Sequence, residues 1–387
     1  MKYMGSKRWM LLNGLGHTIE NASVRAKRFV DLFAGTGAVA AHVAKKRAIP
    51  VVAYDLQNFS VVLTQAIIGR DKKLDGDKIW NMWHKKAARI VARYSPPITD
   101  RITRASVEGY RQWSASRESL PITKAYGGHY FSPIQTVWID ALRKALPTRE
   151  PERTVALAAL IQAASESAAS PGHTAQPFQP TRSAKKFLKD AWNRDVCERV
   201  KRSLEEISET HAQTVGNAKV ADANRAVNGV RKGDLVFIDP PYSGVHYSRF
   251  YHVLETITRG KCGPVSGTGR YPDASERPRS RYSVKTESAD ALEKLLKKVS
   301  EKQASAIITF PSHECSNGLS GTEAKRIAKQ YFFVKTKTVH SKFSTLGGNR
   351  KTEGNGNGRA ARQHARELIL ILSPKKGVRQ PRSRRSV

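Results

Sequence analysis

The sequence predicts an α/β protein with a largely parallel sheet, and two strand-and-loop units support this prediction. An apolar run near the N-terminus leads into a glycine loop and a helical pattern, and a second apolar run, at residues 235–238, ends at a carboxylate followed by two prolines. Buried parallel strands have continuous apolar sequences. Because ligands bind beyond the carboxyl ends of such strands, we expect both loops at one functional edge of the sheet.

The first unit has the pattern of a strand, a tight loop and a helix. Residues 29–33 (Phe-Val-Asp-Leu-Phe) are typical of a buried strand, residues 34–37 (Ala-Gly-Thr-Gly) of a glycine loop, and residues 38–46 of a helix. Glycines allow the backbone to approach a ligand closely at a helix N-terminus. The unit therefore predicts a ligand beside Gly35 and Gly37.

The next predicted strand, residues 51–54, places an acid at the same edge. It ends at Asp55, twenty positions after Gly35, and this spacing suits hydrogen bonds to a ribose diol. The loop lacks the third glycine of the dinucleotide-binding pattern. This departure argues against a pyrophosphate and for a smaller adenosyl ligand, S-adenosylmethionine. A nicotinamide-binding domain is the alternative.

The second unit, Asp239-Pro240-Pro241-Tyr242, carries the most specific chemistry. The exocyclic amino nitrogen of a nucleobase is a poor nucleophile, because its lone pair is conjugated with the ring. Two acceptors, the Asp239 carboxylate and the Pro240 carbonyl, would localise that lone pair by binding the two amino hydrogens. The prolines fix φ and remove competing donors, and Tyr242 offers a ring on which an extruded base stacks. An ordinary proline-rich turn is the alternative.

A basic segment precedes the first unit. Residues 2–8 (Lys-Tyr-Met-Gly-Ser-Lys-Arg) lead into a helical pattern that begins at Trp9. Lys7 is able to pair with the carboxylate of a methionine moiety, and Tyr3 to pack on the same ligand. A solvated basic segment without function would have the same composition.

With these motifs in this order, the chain resembles the DNA adenine methylase family, whose alpha-class members have the cofactor motif first and the catalytic motif late. Four segments carry the resemblance: residues 3–7 (Tyr-Met-Gly-Ser-Lys), 31–37 (Asp-Leu-Phe-Ala-Gly-Thr-Gly), 239–242 (Asp-Pro-Pro-Tyr) and 250–255 (Phe-Tyr-His-Val-Leu-Glu). The resemblance implies a Rossmann-like, S-adenosylmethionine-dependent methyltransferase sheet with an inserted, mainly helical target-recognition domain.

The resemblance also implies roles for single residues. The target base would contact Asp239, Pro240 and Tyr242. Asp222 is similar to the family's acid that meets the adenine ring of the cofactor. The implied cofactor contacts as a set are Tyr3, Lys7, Phe33, Gly35, Gly37, Asp55 and Asp222.

On this interpretation the chain divides into four regions. Residues 1–70 form the cofactor-binding half of the methyltransferase domain, and residues 216–373 form its catalytic half. Residues 71–215 are an insertion with several helical patterns, which would read bases through Arg, Lys, Asn or Gln side chains. Residues 374–387 are rich in Lys and Arg without any acid, and they predict a disordered DNA-binding arm. Residues 260–282 predict a long mobile loop beside the site.

The composition predicts a polyanionic partner. The 387 residues include 67 Lys and Arg against 33 Asp and Glu, a net charge of +34, and basic side chains bind phosphates in a salt-dependent manner. No apolar run approaches twenty residues and no signal peptide is evident, so no membrane partner is expected. The three cysteines are far apart and the histidines lack ligand spacing, which predicts a cytoplasmic protein without a metal. The oligomeric state is left open, a monomer included.

These observations predict a site-specific transferase that methylates the N6 amino group of an extruded adenine in duplex DNA, with S-adenosylmethionine as cofactor. Methylation of the cytosine N4 amino group uses a similar tetrapeptide and is one alternative. RNA would be attracted by the same basic charge and is another. A nucleic-acid binder that keeps the fold without catalysis is the third. The sequence does not separate a role in restriction–modification from phage self-protection or an orphan role.

Overall fold

A computed structural model describes residues 7–341 and 365–375 of the chain. The strands within these ranges are β1 (Arg28–Asp31), β2 (Val51–Asp55), β3 (Asn217–Val220), β4 (Asp234–Ile238), β5 (Val265–Ser266), β6 (Tyr271–Pro272), β7 (Ser305–Pro311), β8 (Phe332–Ser341) and β9 (Ala365–Pro374).

Seven of these strands form one sheet in the order β3-β2-β1-β4-β7-β9-β8. β3, β2, β1, β4 and β7 run parallel, and β9 runs antiparallel to its neighbours β7 and β8. The chain proceeds from β1 to β2 and β3 on one side, and then crosses to β4 on the other side of β1. The predicted α/β class and largely parallel sheet are confirmed. The change of direction between β1 and β4 is the kind of switch point at which open α/β sheets bind ligands.

The helices surround this sheet and also fill the long interval between β2 and β3. Their bounds are α1 (Arg8–Met10), α2 (Gly16–Ser23), α3 (Ala38–Lys46), α4 (Asn58–Ile68), α5 (Gly76–Val91), α6 (Arg104–Ala115), α7 (Pro121–Tyr126), α8 (Pro133–Lys144), α9 (Glu152–Ser167), α10 (Lys185–Trp192), α11 (Val196–Glu209), α12 (Ala223–Ala226), α13 (Tyr247–Arg259), α14 (Ser288–Glu301) and α15 (Gly321–Tyr331).

Both faces of the sheet are buried, which explains its continuously apolar strands. Successive side chains of a strand point to opposite faces. In β4, Leu235 and Phe237 belong to the buried cluster that includes residues of α2 and α3, whereas Val236 and Ile238 belong to the cluster with α14 and α15. The Phe237 ring stacks on that of Phe29 in β1, with centroids 6.4 Å apart. The two clusters fix the register of β1 and β4, and hence the relative heights at which these strands end.

Five helices between α4 and β3 share a third buried cluster with α4 and α13, namely α5, α7, α8, α9 and α11. Residues of α6 and α10 form a fourth, smaller cluster. The rings of Phe59 on α4 and Tyr251 on α13 lie 5.5 Å apart, and Trp83 on α5 donates its indole N–H to the Leu142 carbonyl at 2.8 Å. Several of the inserted helices therefore pack directly on α4 and α13. The predicted boundaries of a recognition domain at residues 71–215 stay a prediction.

The expectation of a long, structureless loop at residues 260–282 is wrong. β5 and β6 form a short antiparallel hairpin there. The Tyr130 hydroxyl donates to the Gly269 carbonyl at 2.9 Å, and His252 Nε2 lies 2.9 Å from the same oxygen. The hairpin is held by buried polar contacts rather than by an apolar stripe, so the hydrophobic pattern of the sequence does not reveal it.

Two predictions fall outside the described residues: the ligand contact of Tyr3, and the basic arm beyond residue 375. Among the helices that the structure describes, none is long and apolar enough to cross a membrane.

Candidate active site

A cleft opens at the carboxyl edge of the sheet, where β1, β2 and β4 end. It encloses about 950 Å³, including space open to solvent. The fold thus brings together predicted site residues that are up to 235 positions apart in sequence, from Lys7 to Tyr242. The predicted site residues that line the cleft are Lys7, Phe33, Gly35, Asp55, Asp222, Asp239, Pro240 and Tyr242.

The glycine loop after β1 is tied to the acids at the strand ends. Gly35 has a φ of +54°, in the left-handed region that favours glycine. Its N–H donates to Asp55 Oδ2 at 2.9 Å, and the Phe33 N–H donates to Asp31 Oδ1 at 3.1 Å. These hydrogen bonds hold the loop open as one wall of the cleft.

Gly37 is placed differently from Gly35. It precedes α3 with a φ of +75° and does not line the cleft. A Cβ atom at Gly37 would lie 2.6 Å from Thr64 Oγ1 and 3.0 Å from Thr64 Cα. The close approach that this glycine allows is between α3 and α4. A cofactor contact at Gly37 stays a prediction, and the geometry gives the residue a packing role.

Asp55 and Asp222 come from neighbouring parallel strands. Asp55 accepts hydrogen bonds from the Gly35 and Gln57 N–H groups, both at 2.9 Å. Asp222 caps α12 by accepting from the Asn224 N–H at 2.9 Å. Each carboxylate is oriented by the backbone at a strand end and also faces the cleft.

Two of the cleft acids hold their protons more tightly than usual. Burial raises the pKa of Asp55 to about 6, against the opposing effect of its backbone donors. Burial also raises the pKa of Asp31 to about 8, with further contributions from the charges of Asp239 and Asp55. A cation bound in the cleft would lower both pKa values, because it favours the charged form of a carboxyl group.

Lys7 lies between two buried carboxylates. Its Nζ atom is 3.0 Å from Asp239 Oδ1 and 3.2 Å from Glu367 Oε2, and the lysine and glutamate side chains are only 5% and 3% exposed. Burial alone would lower the pKa of Lys7, but the charges of Asp239 and Glu367 raise it above its usual value. The ammonium is therefore directed to the Asp-Pro-Pro-Tyr carboxylate. The predicted pairing of Lys7 with a ligand carboxylate stays a prediction.

The two oxygens of Asp239 have different surroundings. Oδ1 accepts from the Thr309 hydroxyl at 2.7 Å and also faces Lys7. No residue in the described ranges donates to Oδ2, nor to the Pro240 carbonyl oxygen. Burial raises the pKa of Asp239 while the Lys7 ammonium opposes this shift. Within the described residues, the arrangement fixes Oδ1 and leaves Oδ2 without a donor.

Aromatic side chains form the rest of the mouth of the cleft. The Tyr242 ring centroid lies 5.9 Å from Lys7 Nζ, and burial raises the pKa of the Tyr242 hydroxyl well above its usual value, so the phenol stays neutral. Asn317 donates to the Pro241 carbonyl at 2.9 Å and to the Tyr282 carbonyl at 3.0 Å. This amide fixes the tetrapeptide against the segment that carries Tyr282.

The charge of the cleft is opposite to that of the chain. Four carboxyl groups line it, whereas the only basic side chain among its described lining residues is Lys7. In a protein with a net charge of +34, such a cleft selects for a cationic ligand and against a pyrophosphate. Among the residues that the structure describes, no group of three or more His, Cys, Asp or Glu side chains is placed to hold a metal ion.

Four residues of this site were not anticipated from the sequence: Thr309, Asn317, Glu255 and Glu367. Glu255 on α13 accepts from the N–H groups of Asn58 and Phe59, both at 3.2 Å, and so caps α4. Glu367 interrupts the apolar β9, and a charge at the start of a buried strand is the one signal that the sequence offers. Thr309 and Asn317 carry no comparable signal.

Comparison with known proteins gives a match over most of the chain. A family model described as D12 class N6 adenine-specific DNA methyltransferase matches residues 3–90 and 120–309. The matched ranges contain the glycine loop, Asp55, Asp222 and the Asp-Pro-Pro-Tyr tetrapeptide.

Several curated proteins are similar to this chain over 77% of its length. Modification methylase LlaI of Lactococcus lactis subsp. lactis is 27% identical over 319 residues, which cover 44% of that protein. Type II methyltransferase M.NlaIII of Neisseria lactamica is 28% identical over 310 residues, or 80% of its length. Type II methyltransferase M.FokI of Planomicrobium okeanokoites is 28% identical over 315 residues, or 43%. The chain thus matches less than half the length of LlaI and M.FokI.

Proposed function

The chain belongs to the D12 class N6 adenine-specific DNA methyltransferase family, and we propose that it transfers a methyl group to the N6 amino nitrogen of an adenine extruded from duplex DNA. The family implies a methyl donor of the S-adenosylmethionine type. The similar proteins are named as a modification methylase and as type II methyltransferases, and we propose site-specific modification of DNA in the cytoplasm as the role of this chain too.

The chemistry of the cleft fits S-adenosylmethionine. This cofactor carries a sulfonium and an ammonium cation, and four carboxyl groups line the cleft. Gln57 adds a buried side-chain carbonyl oxygen that accepts from none of the described residues, and it also lines the cleft. When bound, the cofactor supplies an electrophilic methyl carbon. Asp55 would hold its ribose and Asp222 its adenine ring, and Phe33 and Gly35 would form the wall against it.

Asp239 and Pro240 would activate the target amino group. The Asp239 Oδ2 and Pro240 carbonyl oxygens accept the two amino hydrogens, so the nitrogen lone pair is directed out of conjugation with the purine ring. The nitrogen would bond to the methyl carbon as the methyl–sulfur bond breaks and the sulfonium leaves as a neutral thioether, without a covalent enzyme intermediate. The methylated amino group would then lose one proton, which the Asp239 carboxylate is placed to accept. Holding both reactants in line is the main source of rate in such a transfer.

Lys7 and Thr309 position the catalytic carboxylate. Both donate to Oδ1 of Asp239, which fixes the carboxylate plane and turns Oδ2 toward the acceptor role. The Lys7 charge also favours the ionised form of Asp239. The proposed function rests mainly on this difference between the two Asp239 oxygens: Lys7 and Thr309 contact Oδ1, and no described residue donates to Oδ2.

The base would reach this site by leaving the duplex. Enzymes that modify a base extrude it into a pocket and stack it on aromatic side chains, and Tyr242 supplies such a ring at the mouth of the cleft. The helices of the predicted insertion would contact the duplex, and the net charge of +34 would supply sequence-independent attraction to phosphates.

The test is transfer of labelled methyl from S-adenosylmethionine to duplex DNA, followed by digestion and separation of the nucleosides. We expect label in N6-methyladenine for the unaltered protein and none for Asp239→Ala, while the variant still binds DNA. Label in N4-methylcytosine would change the target base. Label on RNA alone would change the substrate. Cofactor binding without any methyl transfer would identify a non-catalytic binder of the same fold and overturn the proposal.

A further inference from the structure

Two arginines next to the cleft share one aromatic ring. The guanidinium carbons of Arg249 and Arg277 lie 4.8 Å and 5.5 Å from the centroid of the Tyr271 ring. Arg249 on α13 also donates from Nε to the Tyr271 hydroxyl at 3.3 Å. Cations at these distances are attracted by the electron-rich face of the ring. Two like charges therefore lie against the same ring.

The Tyr271 ring is itself fixed. It lies on β6, its hydroxyl donates to the Ala175 carbonyl at 2.5 Å, and its centroid is 4.9 Å from that of the His252 ring. The hairpin, α13 and the segment after α9 thus meet at this residue. A rigid platform of this kind sets the positions of both guanidinium groups before any ligand binds.

The two arginines differ from their neighbours in forming no ion pair within the described ranges, although the charge of Arg277 contributes to the lowered pKa of the exposed Asp273. Arg259 pairs with Glu276, Arg279 with Glu287, and Arg281 with both Glu287 and Asp290. No ion pair joins Arg249 or Arg277 to a residue in the described ranges, and the buried Nε of Arg277 has no hydrogen-bond partner there.

The local field is accordingly positive. Burial, with smaller contributions from the charges of Arg277 and Arg249, lowers the pKa of His252 to about 4. Burial and the charges of Arg279 and Arg277 likewise lower the pKa of His246. Both guanidinium groups lie against the same ring without an ion pair to a described residue, so an anion bound beside them would balance their charge.

The arginine pair borders the catalytic cleft. Arg277 lines a small cavity together with Gln57, Ser248 and Pro278, and these last three residues also line the cleft. The two acids of this cavity are already engaged: Glu255 caps α4, and Glu276 pairs with Arg259. An anion held by the pair would therefore lie beside the position proposed for the extruded base.

We propose that Arg249 and Arg277 bind a backbone phosphate of the DNA strand whose base is extruded into the cleft. Extrusion rotates the target nucleotide about its backbone, so its flanking phosphates come to the mouth of the cleft. Guanidinium groups match the geometry of phosphate oxygens and bind them with short, charge-assisted hydrogen bonds. This inference rests on the proposed function and extends it to the strand that the enzyme holds.

The experiment measures the affinity of the whole protein for a fluorescent duplex by anisotropy, over a range of salt concentrations. The test variant carries Arg249→Gln and Arg277→Gln together. The matched control carries Arg281→Gln and Arg326→Gln, which remove the same charge from two arginines that are already paired. We expect the test variant to lower the slope of log affinity against log salt by about one per lost phosphate contact. The control should lower it much less.

Two further measurements separate the alternatives. Thermal unfolding and S-adenosylmethionine binding show whether the test variant is folded, and Arg249→Lys with Arg277→Lys should restore most of the slope. Equal slopes and affinities in the test variant and the control would overturn the phosphate site. Equal slopes would leave the proposed function intact as long as the unaltered protein methylates DNA. If the unaltered protein binds duplex DNA without methylating it, the comparison of slopes still tests the phosphate site. A loss of slope confined to single-stranded RNA would overturn the assignment to duplex DNA.

Discussion

The Lys7 ammonium lies 3.0 Å from the Asp239 carboxylate, in a cluster that also contains Glu367. The Lys7 ammonium is thus the counter-ion of two acids, and only Asp239 belongs to the Asp-Pro-Pro-Tyr tetrapeptide. The Lys7 charge lowers the pKa of Asp239, in opposition to burial. If Asp239 acts as proposed, the pH dependence of methyl transfer should therefore depend on Lys7, which lies outside the tetrapeptide.

Removal of the Lys7 charge should move the activity profile to higher pH. Asp239 acts in its ionised form, so activity is lost as pH falls through its pKa, and that pKa rises when the ammonium is removed. We compare Glu367→Gln, which leaves Lys7 beside Asp239, with Glu367→Gln combined with Lys7→Gln. The acid limb of the single-turnover rate should lie at higher pH in the double variant. Identical profiles would show that Lys7 does not tune Asp239.

The single change Lys7→Gln should be less stable than the double variant. It leaves the buried Glu367 carboxylate without its cation, and removal of one partner of a buried ion pair costs about 3–5 kcal/mol. The neutral pair made by Lys7→Gln with Glu367→Gln avoids this cost. Chemical denaturation of the two proteins at pH 7 measures the difference in the free energy of unfolding. Equal stability would mean that water or another group solvates Glu367.

Affinity for S-adenosylmethionine should increase with pH between about pH 6 and pH 8. Asp55 and Asp31 have pKa values raised to about 6 and about 8, so both are partly protonated at the lower end of this range. A cationic ligand favours the ionised acids, and its binding should release protons. Calorimetry in two buffers of different ionisation enthalpy measures both the affinity and the released protons. Constant affinity across this range, without proton release, would contradict the proposed acid contacts.

Gly37→Ala should lower stability without weakening cofactor binding in the protein that remains folded. Gly37 has a φ of +75°, and the new Cβ would lie 2.6 Å from Thr64 Oγ1. Strain of this kind costs on the order of 1–3 kcal/mol. Gly109→Ala on α6 is the control, because nothing lies within 4 Å of its Cβ position, and it should stabilise the helix by up to about 1 kcal/mol. A weakened cofactor affinity in folded Gly37→Ala would instead support a direct ligand contact.

Glu255→Ala should destabilise the protein through α4. The carboxylate accepts from the first two N–H groups of that helix, and its loss leaves buried donors unsatisfied, at a cost of about 1–3 kcal/mol. Glu255→Gln keeps one acceptor oxygen and should lose less. Urea denaturation of both variants gives the order of stability. An Ala variant as stable as the Gln variant would show that the cap is replaced by water.

The sequence predicted the strands and loops of the site because these depend on local patterns. The continuous apolar runs at β1, β2 and β4 were sufficient to predict buried parallel strands, and the acids that end them lie together as expected. The carboxyl edge of a parallel sheet collects the ends of its strands, so position along a strand was enough to predict proximity. The individual ligand roles of Phe33, Asp55 and Asp222 stay predictions.

The rest of the site depends on contacts that leave no local pattern. Thr309 and Asn317 are ordinary polar residues in the sequence, and only the sheet order places them against the tetrapeptide. Lys7 was predicted to bind a ligand carboxylate because its acidic neighbours in the structure, Asp239 and Glu367, lie far from it in the sequence. Its pairing with them therefore leaves no local pattern. The hairpin at β5 and β6 was missed because its two-residue strands are stabilised by hydrogen bonds to Gly269.

The position of Glu367 has a consequence for the time at which the enzyme becomes active. Asp239, the glycine loop and most of the cleft are synthesised well before β9, which pairs with β7 and carries Glu367. A nascent chain that still lacks β9 therefore has the tetrapeptide but not the second acid that fixes Lys7. The surroundings of Lys7 and Asp239 are completed only once β9 has been synthesised, so a protein that lacks β9 should methylate weakly.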